Sequence, residues 1–324
     1  MASLRLGILG CSDIARNRFM PAIANVDGIE AVVIAEAYDQ ARVASFTEQW
    51  PLEVEMSFED LLARPDLDAV YVPQPPALHC QWASRALEAG KHVLVEKPST
   101  TTLADSERLV REARERGLAL HENYMFQYHA QLEDIAGLLD EGVVGDVRLY
   151  RADFGFPLRA ANDFRYLREL GGGALLDAGG YVIKLATLLL GPTARVEAAE
   201  LRSLPGYEVD MVGSVTLVND EGLVFQGGFG MDCGYRCRME VWGSTGTLTT
   251  DRVFTAPTGF VPHALVQTNA GVSDIEMRAD AHFEKSIAAF VTQVSDPDER
   301  ERSYEGILRQ ARLVEDVRSI ARHA

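Results

Sequence analysis

The sequence predicts an α/β protein in two parts, a doubly wound parallel sheet followed by an α/β part whose strands suit an antiparallel sheet. Three observations predict it. Apolar runs of strand length alternate with helical stretches through the first 121 residues, which is the pattern of right-handed βαβ units. The run Ala89-Gly90-Lys91-His92-Val93-Leu94-Val95-Glu96-Lys97-Pro98 ends a buried strand on a lysine held between a carboxylate and a proline. From residue 198 to 242, alternating apolar and polar residues separated by turn signals read as neighbouring antiparallel strands.

Composition bounds the reading. At 324 residues the chain is long enough for two domains, and 47% hydrophobic with 24% charged residues is ordinary for a soluble globular protein. A net charge of -17 disfavours sequence-independent binding to nucleic acid or to an anionic membrane, since both need excess lysine and arginine. Leu4 to Leu9 is a strand-length run, not a signal-peptide core, so a cytoplasmic location is expected. Four cysteines are too few for a disulfide framework, and the spacing of Cys233 and Cys237 predicts that they share one face of a strand.

Leu4 to Leu9 forms the first strand, and Gly10 opens a turn of pattern G-x-S-x-x-A into a helix carrying Pro21 to Ala24. Strand, tight turn and helix is the context of a dinucleotide fingerprint, with Ser12 where the second glycine normally stands. The strand Ala31 to Ala35 then delivers Glu36, placed to accept hydrogen bonds from an adenosine ribose. A 2′-phosphate would be repelled by Glu36, and Ala37 and Tyr38 follow it instead of arginine, so the chemistry leans toward NAD(H) over NADP(H). A slip of one residue in that turn would present Tyr38 instead. Ala69 to Val72 is a third buried strand, followed by Pro73-Gln74-Pro75-Pro76, whose prolines keep the loop extended. A helix from Cys80 to Glu88 leads to the strand Val93 to Val95. Ligands bind beyond the carboxyl ends of such strands, so Lys97 is delivered there, and Pro98 restricts its backbone to extended geometry. The Lys97–Pro98 bond is open to either isomer. Leu103 to Arg116 reads as an amphipathic helix, and Leu118 to His121 as the strand that closes the first domain.

In the second part, Gly171-Gly172-Gly173 precedes a helix running to Leu190. Asp177 and Tyr181 are four apart, hence on one face. The same spacing is that of a buried core helix in which Asp177 satisfies the tyrosine hydroxyl. Gly179 and Gly180 weaken a helix by roughly 1 kcal/mol each, which points to close backbone approach at that place. Arg159, Arg165 and Arg168 lie in one loop of an acidic protein and suit the diphosphate of a nucleotide sugar, or equally a solvated basic loop. Segments 281–294 and 304–321 read as helices.

The motifs G-I-L-G-C-x-x-I-A, V-Y-V-P-x-P-x-x-x-H at 70 to 79 and A-G-K-H-V-L-V-E-K-P at 89 to 98, in this order, resemble the glucose-fructose oxidoreductase, inositol dehydrogenase and MocA (Gfo/Idh/MocA) family. The stretches 122–129, 154–157, 163–166 and 235–244 resemble its branch of nucleotide-sugar 3-ketoreductases. The resemblance implies a Rossmann domain over 1–121 and a substrate-binding and oligomerisation domain over 122–324 with a large, mostly antiparallel open sheet. It implies NAD(H) or NADP(H) held by Gly10, Ser12, Asp13, Ile14, Glu36, Pro73, Pro75, His79, Glu96, Lys97 and Asn123, with the nicotinamide facing the second domain. Catalysis would fall to Lys97, Tyr181 and Asp177, in a homodimer or homotetramer; Arg159, Arg165 and Arg168 stand as substrate-binding candidates on their own guanidinium chemistry, and no metal is expected.

One departure matters: where the family pattern is D-x-G-x-H, this chain has Tyr181 in the histidine position. The resemblance implies that Tyr181 exchanges the proton of the substrate oxygen, while Lys97 polarises that oxygen and Asp177 orients the sugar or the tyrosine. A phenol is a weak acid, and an ammonium such as Lys97 nearby favours its ionised form. Lys97 could instead serve a structural ion pair, and His79, His121 and His129 read as packing or loop residues more than as catalysts. The alternatives that the sequence leaves open are a dehydrogenase of a free sugar or inositol, and a non-catalytic NAD(P)-binding sensor.

Overall fold

The computed structural model describes residues 3–36 and 40–323, with the side chains of Gln40 and His323 outside the description; Ala37 and Tyr38 thus lie outside the described residues. Contacts divide the chain into two compact units, Met1–Tyr124 with Phe283–Leu308, and Met125–His282 with Arg309–Ala324.

The first unit is built on six parallel strands: β1 (Leu4–Leu9), β2 (Ile29–Ala35), β3 (Glu53–Glu55), β4 (Ala69–Val72), β5 (His92–Val95) and β6 (Leu120–Glu122). Their order is β3-β2-β1-β4-β5-β6, the doubly wound arrangement, with the order reversing at β1. The central strands read as unbroken apolar runs because helices cover both faces, and all four residues of β4 are buried. Five helices follow the strands: α1 (Met20–Ile23), entered through a π-helical turn at Ala15–Phe19, α2 (Gln40–Thr47), α3 (Phe58–Ala63), α4 (Pro76–Glu88) and α5 (Leu103–Arg116). The ends of α5 follow from its residues. Thr102 accepts a hydrogen bond from the Asp105 N–H at its start, and Gly117, at φ +66°, closes its end after Arg114 and Arg116.

The second unit carries α6 (Gln131–Asp140), α7 (Gly180–Leu190) and the strands β7 (Val147–Gly155), β8 (Arg195–Ser203), β9 (Asp210–Val218), β10 (Val224–Gly230), β11 (Arg236–Gly243), β12 (Gly246–Asp251), β13 (His263–Thr268), β14 (Gly271–Glu276) and β15 (Arg322–His323). They form one sheet of order β14-β13-β12-β11-β7-β10-β9-β8-β15. Pairing is antiparallel except at β7–β10 and β8–β15. Burial alternates along the strands as a half-covered sheet requires: in β11, Cys237, Met239 and Val241 are buried, while Arg236 and Trp242 are exposed. Cys233 lies in the turn before β11, where its N–H bonds the Phe156 carbonyl. It therefore does not share a strand face with Cys237 as the spacing predicts.

Helix α7 packs against this sheet at glycines. A Cβ on Gly179 would stand 3.1 Å from the Phe229 ring, and one on Gly227 only 2.2 Å from Val182 Cγ1. This is the close approach expected before Tyr181. The apolar stretch Arg168–Leu190 is long enough by composition to cross a bilayer, yet 83% of its apolar window is buried inside the fold, as in a core helix.

Two further helices, α8 (His282–Ser295) and α9 (Pro297–Ile320), lie between β14 and β15. A single division after residue 121 does not describe the fold. The first crossing comes after Tyr124, and Phe283–Leu308 returns to the first unit because Tyr304 and Ile307, each 2% exposed, complete its apolar core. The Tyr304 hydroxyl also donates to the Leu118 carbonyl. Helix α9 begins at Pro297, well before residue 304, since proline suits the first helical turn.

Candidate active site

In the first unit the candidate residues gather at the carboxyl ends of the strands. Gly10 has φ +111°, and a Cβ there would fall 2.2 Å from the Gln74 side-chain nitrogen, so the turn after β1 requires glycine. The Cys11 N–H donates to Glu36 Oε2 at 3.1 Å, which brings the end of β2 to the turn. Ser12 Oγ accepts the Ala15 N–H at 3.1 Å and caps the helix start. Asp13 is exposed, and Ile14 is half-buried. A helix start just after a glycine turn is where a pyrophosphate docks, and a carboxylate one strand over suits a ribose, so these residues fit a dinucleotide. Arg42, which the sequence reading did not weigh, donates to the Cys11 carbonyl at 3.3 Å.

Pro73 is buried and Pro75 half-buried, and Pro75 caps α4. His79 is 1% exposed, with its ring nitrogens 2.7 Å from the Pro98 carbonyl and 2.5 Å from the Gln74 carbonyl. It sits between the loop after β4 and the loop after β5, and in its neutral form it donates to one of the two carbonyls. Burial, with a further push from the Lys97 ammonium, lowers its pKa to about 4, so the ring is neutral at pH 7.

Lys97 is half-buried, and its bond to Pro98 is cis. The segment carrying it is clamped from both sides, by His79 on Pro98 and by the Glu122 carboxylate, which accepts the Ser99 N–H at 2.8 Å. Glu96 and Asn123 are buried and occupied within the protein. Glu96 Oε1 accepts from the Tyr71 hydroxyl and from Asn123 Nδ2, each at 2.7 Å. Burial pushes the Glu96 carboxyl up, opposed by those two donors and by Lys97. Asn123 Oδ1 accepts the Ser286 hydroxyl at 2.8 Å, so each polar end of Asn123 already makes one bond within the protein. Tyr71 was missed in the sequence, although a hydroxyl in a wholly buried strand must find a partner.

In the second unit Asp177 lies in a π-helical turn, Leu175–Gly179, that runs into α7. A π-helical turn is wider than an α-helical one, with hydrogen bonds from i to i+5. Asp210 accepts the Leu175 N–H at 2.6 Å and holds the start of the turn, and Gln310 of α9 donates to the Gly180 carbonyl at 2.9 Å, where the two helical forms meet. Tyr181 is 7% exposed among Phe126, Phe154 and Phe254, its hydroxyl 3.8 Å from Met125 Sδ.

The three loop arginines have different partners. Arg165 Nε is 2.6 Å from Asp177 Oδ2, and its Nη1 is 3.1 Å from Asp163 Oδ1. Burial lowers the Arg165 pKa, and the two carboxylates outweigh it, raising it overall. Arg168 is anchored on the Glu208 backbone carbonyl, and its N–H bonds the Glu208 carboxylate at 2.8 Å. Arg159 is exposed, with its guanidinium 5.1 Å from the Phe156 ring centre. Asp177, which balances Arg165, and Glu208, which anchors Arg168, lie 12 and 40 residues from their arginines and give no local sequence signal.

Comparison with known proteins fits this geometry. A model described as an oxidoreductase family with an NAD-binding Rossmann fold matches residues 4–124, and a GFO/IDH/MocA C-terminal domain model matches 132–249. A dTDP-3,4-didehydro-2,6-dideoxy-alpha-D-glucose 3-reductase of Actinomadura kijaniata is 42% identical over 320 residues, 98% of this chain and 96% of that protein. The chain belongs to the Gfo/Idh/MocA oxidoreductases. A protein of the same description from Saccharopolyspora spinosa is 40% identical over 97% of this chain and 96% of its own length. The crystal structure of KijD10, a 3-ketoreductase from Actinomadura kijaniata, in complex with NADP and TDP-benzene superposes with a TM-score of 0.95 at 41% identity, covering 99% of this chain and 98% of that one.

Proposed function

We propose that the chain is a nucleotide-sugar 3-ketoreductase of deoxysugar biosynthesis, acting on a dTDP-linked keto-hexose. The observation that carries this reading is the near-full-length likeness, at 40 to 42% identity, to proteins described as dTDP-sugar 3-reductases. When bound, a reduced nicotinamide supplies the hydride. The residues of the chain do the rest: the Lys97 ammonium polarises the keto oxygen and stabilises the charge that develops on it, and the Tyr181 hydroxyl gives that oxygen its proton. Asp177 acts through Arg165, keeping the loop at 163–170 in one shape. Arg159 is the loop arginine whose guanidinium suits the diphosphate.

Glu36 supports a preference for NAD(H) over NADP(H), since its carboxylate repels a 2′-phosphate. The exposed face of the large sheet, with Trp242, Leu265 and the Arg151–Glu240 pair, supports self-association into a dimer or tetramer. Four free cysteines suit a reducing cytoplasm.

The test is oxidation of NADH or NADPH with a dTDP-linked 3-keto sugar, against free keto sugars and inositols. Turnover confined to the nucleotide sugar, lost by 10²-fold or more in Tyr181→Phe and in Lys97→Ala, is expected. Turnover of free sugars alone would favour a free-sugar dehydrogenase, and full activity in both variants would end the assignment of those residues.

A further inference from the structure

Tyr181 stands just past a π-helical turn, and that turn is held at both ends by side chains to which the catalytic reading gives no part. The turn spans Leu175–Gly179 and runs into α7 at Gly180. At its start the carboxylate of Asp210, the first residue of β9, accepts the Leu175 N–H at 2.6 Å. At its end Gln310 Nε2 of α9 donates to the carbonyl of Gly180, the residue directly before Tyr181, at 2.9 Å. Gly179 lies against the sheet between them, where a Cβ would stand 3.1 Å from the Phe229 ring.

π-Helical turns are rare and recur at functional sites. A ring closed from i to i+5 holds one residue more than an α-helical ring, so tightening it would rotate Tyr181 against the Leu175 end by roughly 100°, the angle per residue of an α-helix. Tyr181 would then leave Phe126, Phe154 and Phe254, the rings that surround it.

The two holding groups are built in at some expense. Gln310 is 2% exposed, and burying a long amide side chain gives up both hydration and rotamer freedom. A carbonyl has two lone pairs, so Gly180 can take this donor in addition to a helical one. Room for Asp210 comes from Gly173, at φ +120°, where a Cβ would fall 2.5 Å from Asp210 Oδ1. A carboxylate at the start of a helix also meets the positive end of the helix dipole.

We propose that Gln310 and Asp210 are positioning residues for Tyr181: they keep the turn at 175–179 in its π form, and that form sets the direction of the phenol. The proposal rests on the reading of Tyr181 as the proton donor to the substrate oxygen. It gives α9 a part in the geometry of the reaction.

Fluorine NMR of the protein carrying 3-fluorotyrosine tests this without substrate or cofactor. The chain has ten tyrosines, and Tyr181→Phe assigns the line of Tyr181. Gln310→Met fills nearly the same volume and removes the donor. Asp210→Leu removes the acceptor, whereas Asp210→Asn keeps an oxygen for the Leu175 N–H. The Tyr181 line should move by more than its width in Gln310→Met and in Asp210→Leu, and stay in place in Asp210→Asn. The lines of Tyr71 and Tyr304, in the first unit, should stay in all three and show that the fold is kept. With a dTDP-linked 3-keto sugar, kcat should fall about tenfold or more in Gln310→Met and Asp210→Leu with KM little changed, as for a group that acts in the transition state. A Tyr181 line unmoved in both variants overturns the proposal, and one that moves in a single variant removes the other residue from it. The two substitutions act from different elements, so misfolding of one leaves the other to decide. A line that moves while kcat holds keeps the positioning and overturns Tyr181 as the proton donor, so the two readings fail separately.

Discussion

Replacing Arg165 with methionine should loosen the second unit, and the size of the effect can be worked from its contacts. The guanidinium stands 2.6 Å from Asp177 and 3.1 Å from Asp163, with side-chain exposures of 20%, 14% and 16%. At an effective dielectric near 20, each contact at such a distance is worth roughly 5 kcal/mol before desolvation. Removing one partner of a buried pair costs about 3–5 kcal/mol, because the other charge stays behind uncompensated. Some water reaches all three side chains, so about 3 kcal/mol is the appropriate figure for Arg165→Met. Hydrogen exchange read peptide by peptide measures it locally, since 3 kcal/mol corresponds to roughly hundredfold faster exchange in a cooperative unit. That acceleration is expected in peptides covering α7 and β9, and not in β1. Adding Asp177→Asn should recover about half of the loss, because the carboxylate bound to Nε is then neutral. Exchange within threefold of the unmodified protein in Arg165→Met would refute the argument that this arginine balances buried charge.

Three other outcomes follow from the same reasoning. His79 takes up a proton near pH 6.5 when unfolded but only at about 4 when folded, so its contribution to stability is intact above pH 6.5 and declines as the pH falls toward 4. That is about 2 kcal/mol lost by pH 5, and His79→Asn should flatten this part of the urea-stability profile; His92, also lowered to about 4 by burial, keeps its own slope. Ile307→Ala removes a side chain 2% exposed in the core of the first unit and should cost about 2–5 kcal/mol, seen as faster hydrogen exchange in β5 and β6 and not in β9. Glu36→Ser removes the carboxylate and should shift the ratio of NADPH to NADH affinity at least tenfold toward NADPH, read by fluorescence titration; an unchanged ratio would mean that Glu36 does not face the ribose.

The first sheet was legible in the sequence because parallel strands buried on both faces are written as apolar runs: all of β4 is one, as are the carboxyl-terminal parts of β1, β2 and β5. Gly10 and the Glu96-Lys97-Pro98 strand end were legible for a related reason: a positive φ and an extended, donor-free bend each demand a particular residue type. Strands β12, β13 and β14 carried weaker signals, since a sheet exposed on one face alternates and is shorter in pattern. The return of α8 and the first half of α9 to the first unit was not legible, because an amphipathic helix shows which face it buries and not what it buries it against.

The same limit governs the site. The sequence by itself determined that Lys97 stands at a strand's carboxyl end, that Gly10 must turn, and that Tyr181 replaces the family's histidine, all of which depend on residues adjacent along the chain. Only the tertiary structure decided that Arg165 belongs to Asp163 and Asp177, that Arg168 belongs to Glu208, and that Asn123 serves Glu96 and Ser286. Those are pairings of charge and hydrogen bond across gaps of 2 to 163 residues. The energy that selects them arises when both partners leave water together, a condition set by packing and by nothing in the local sequence.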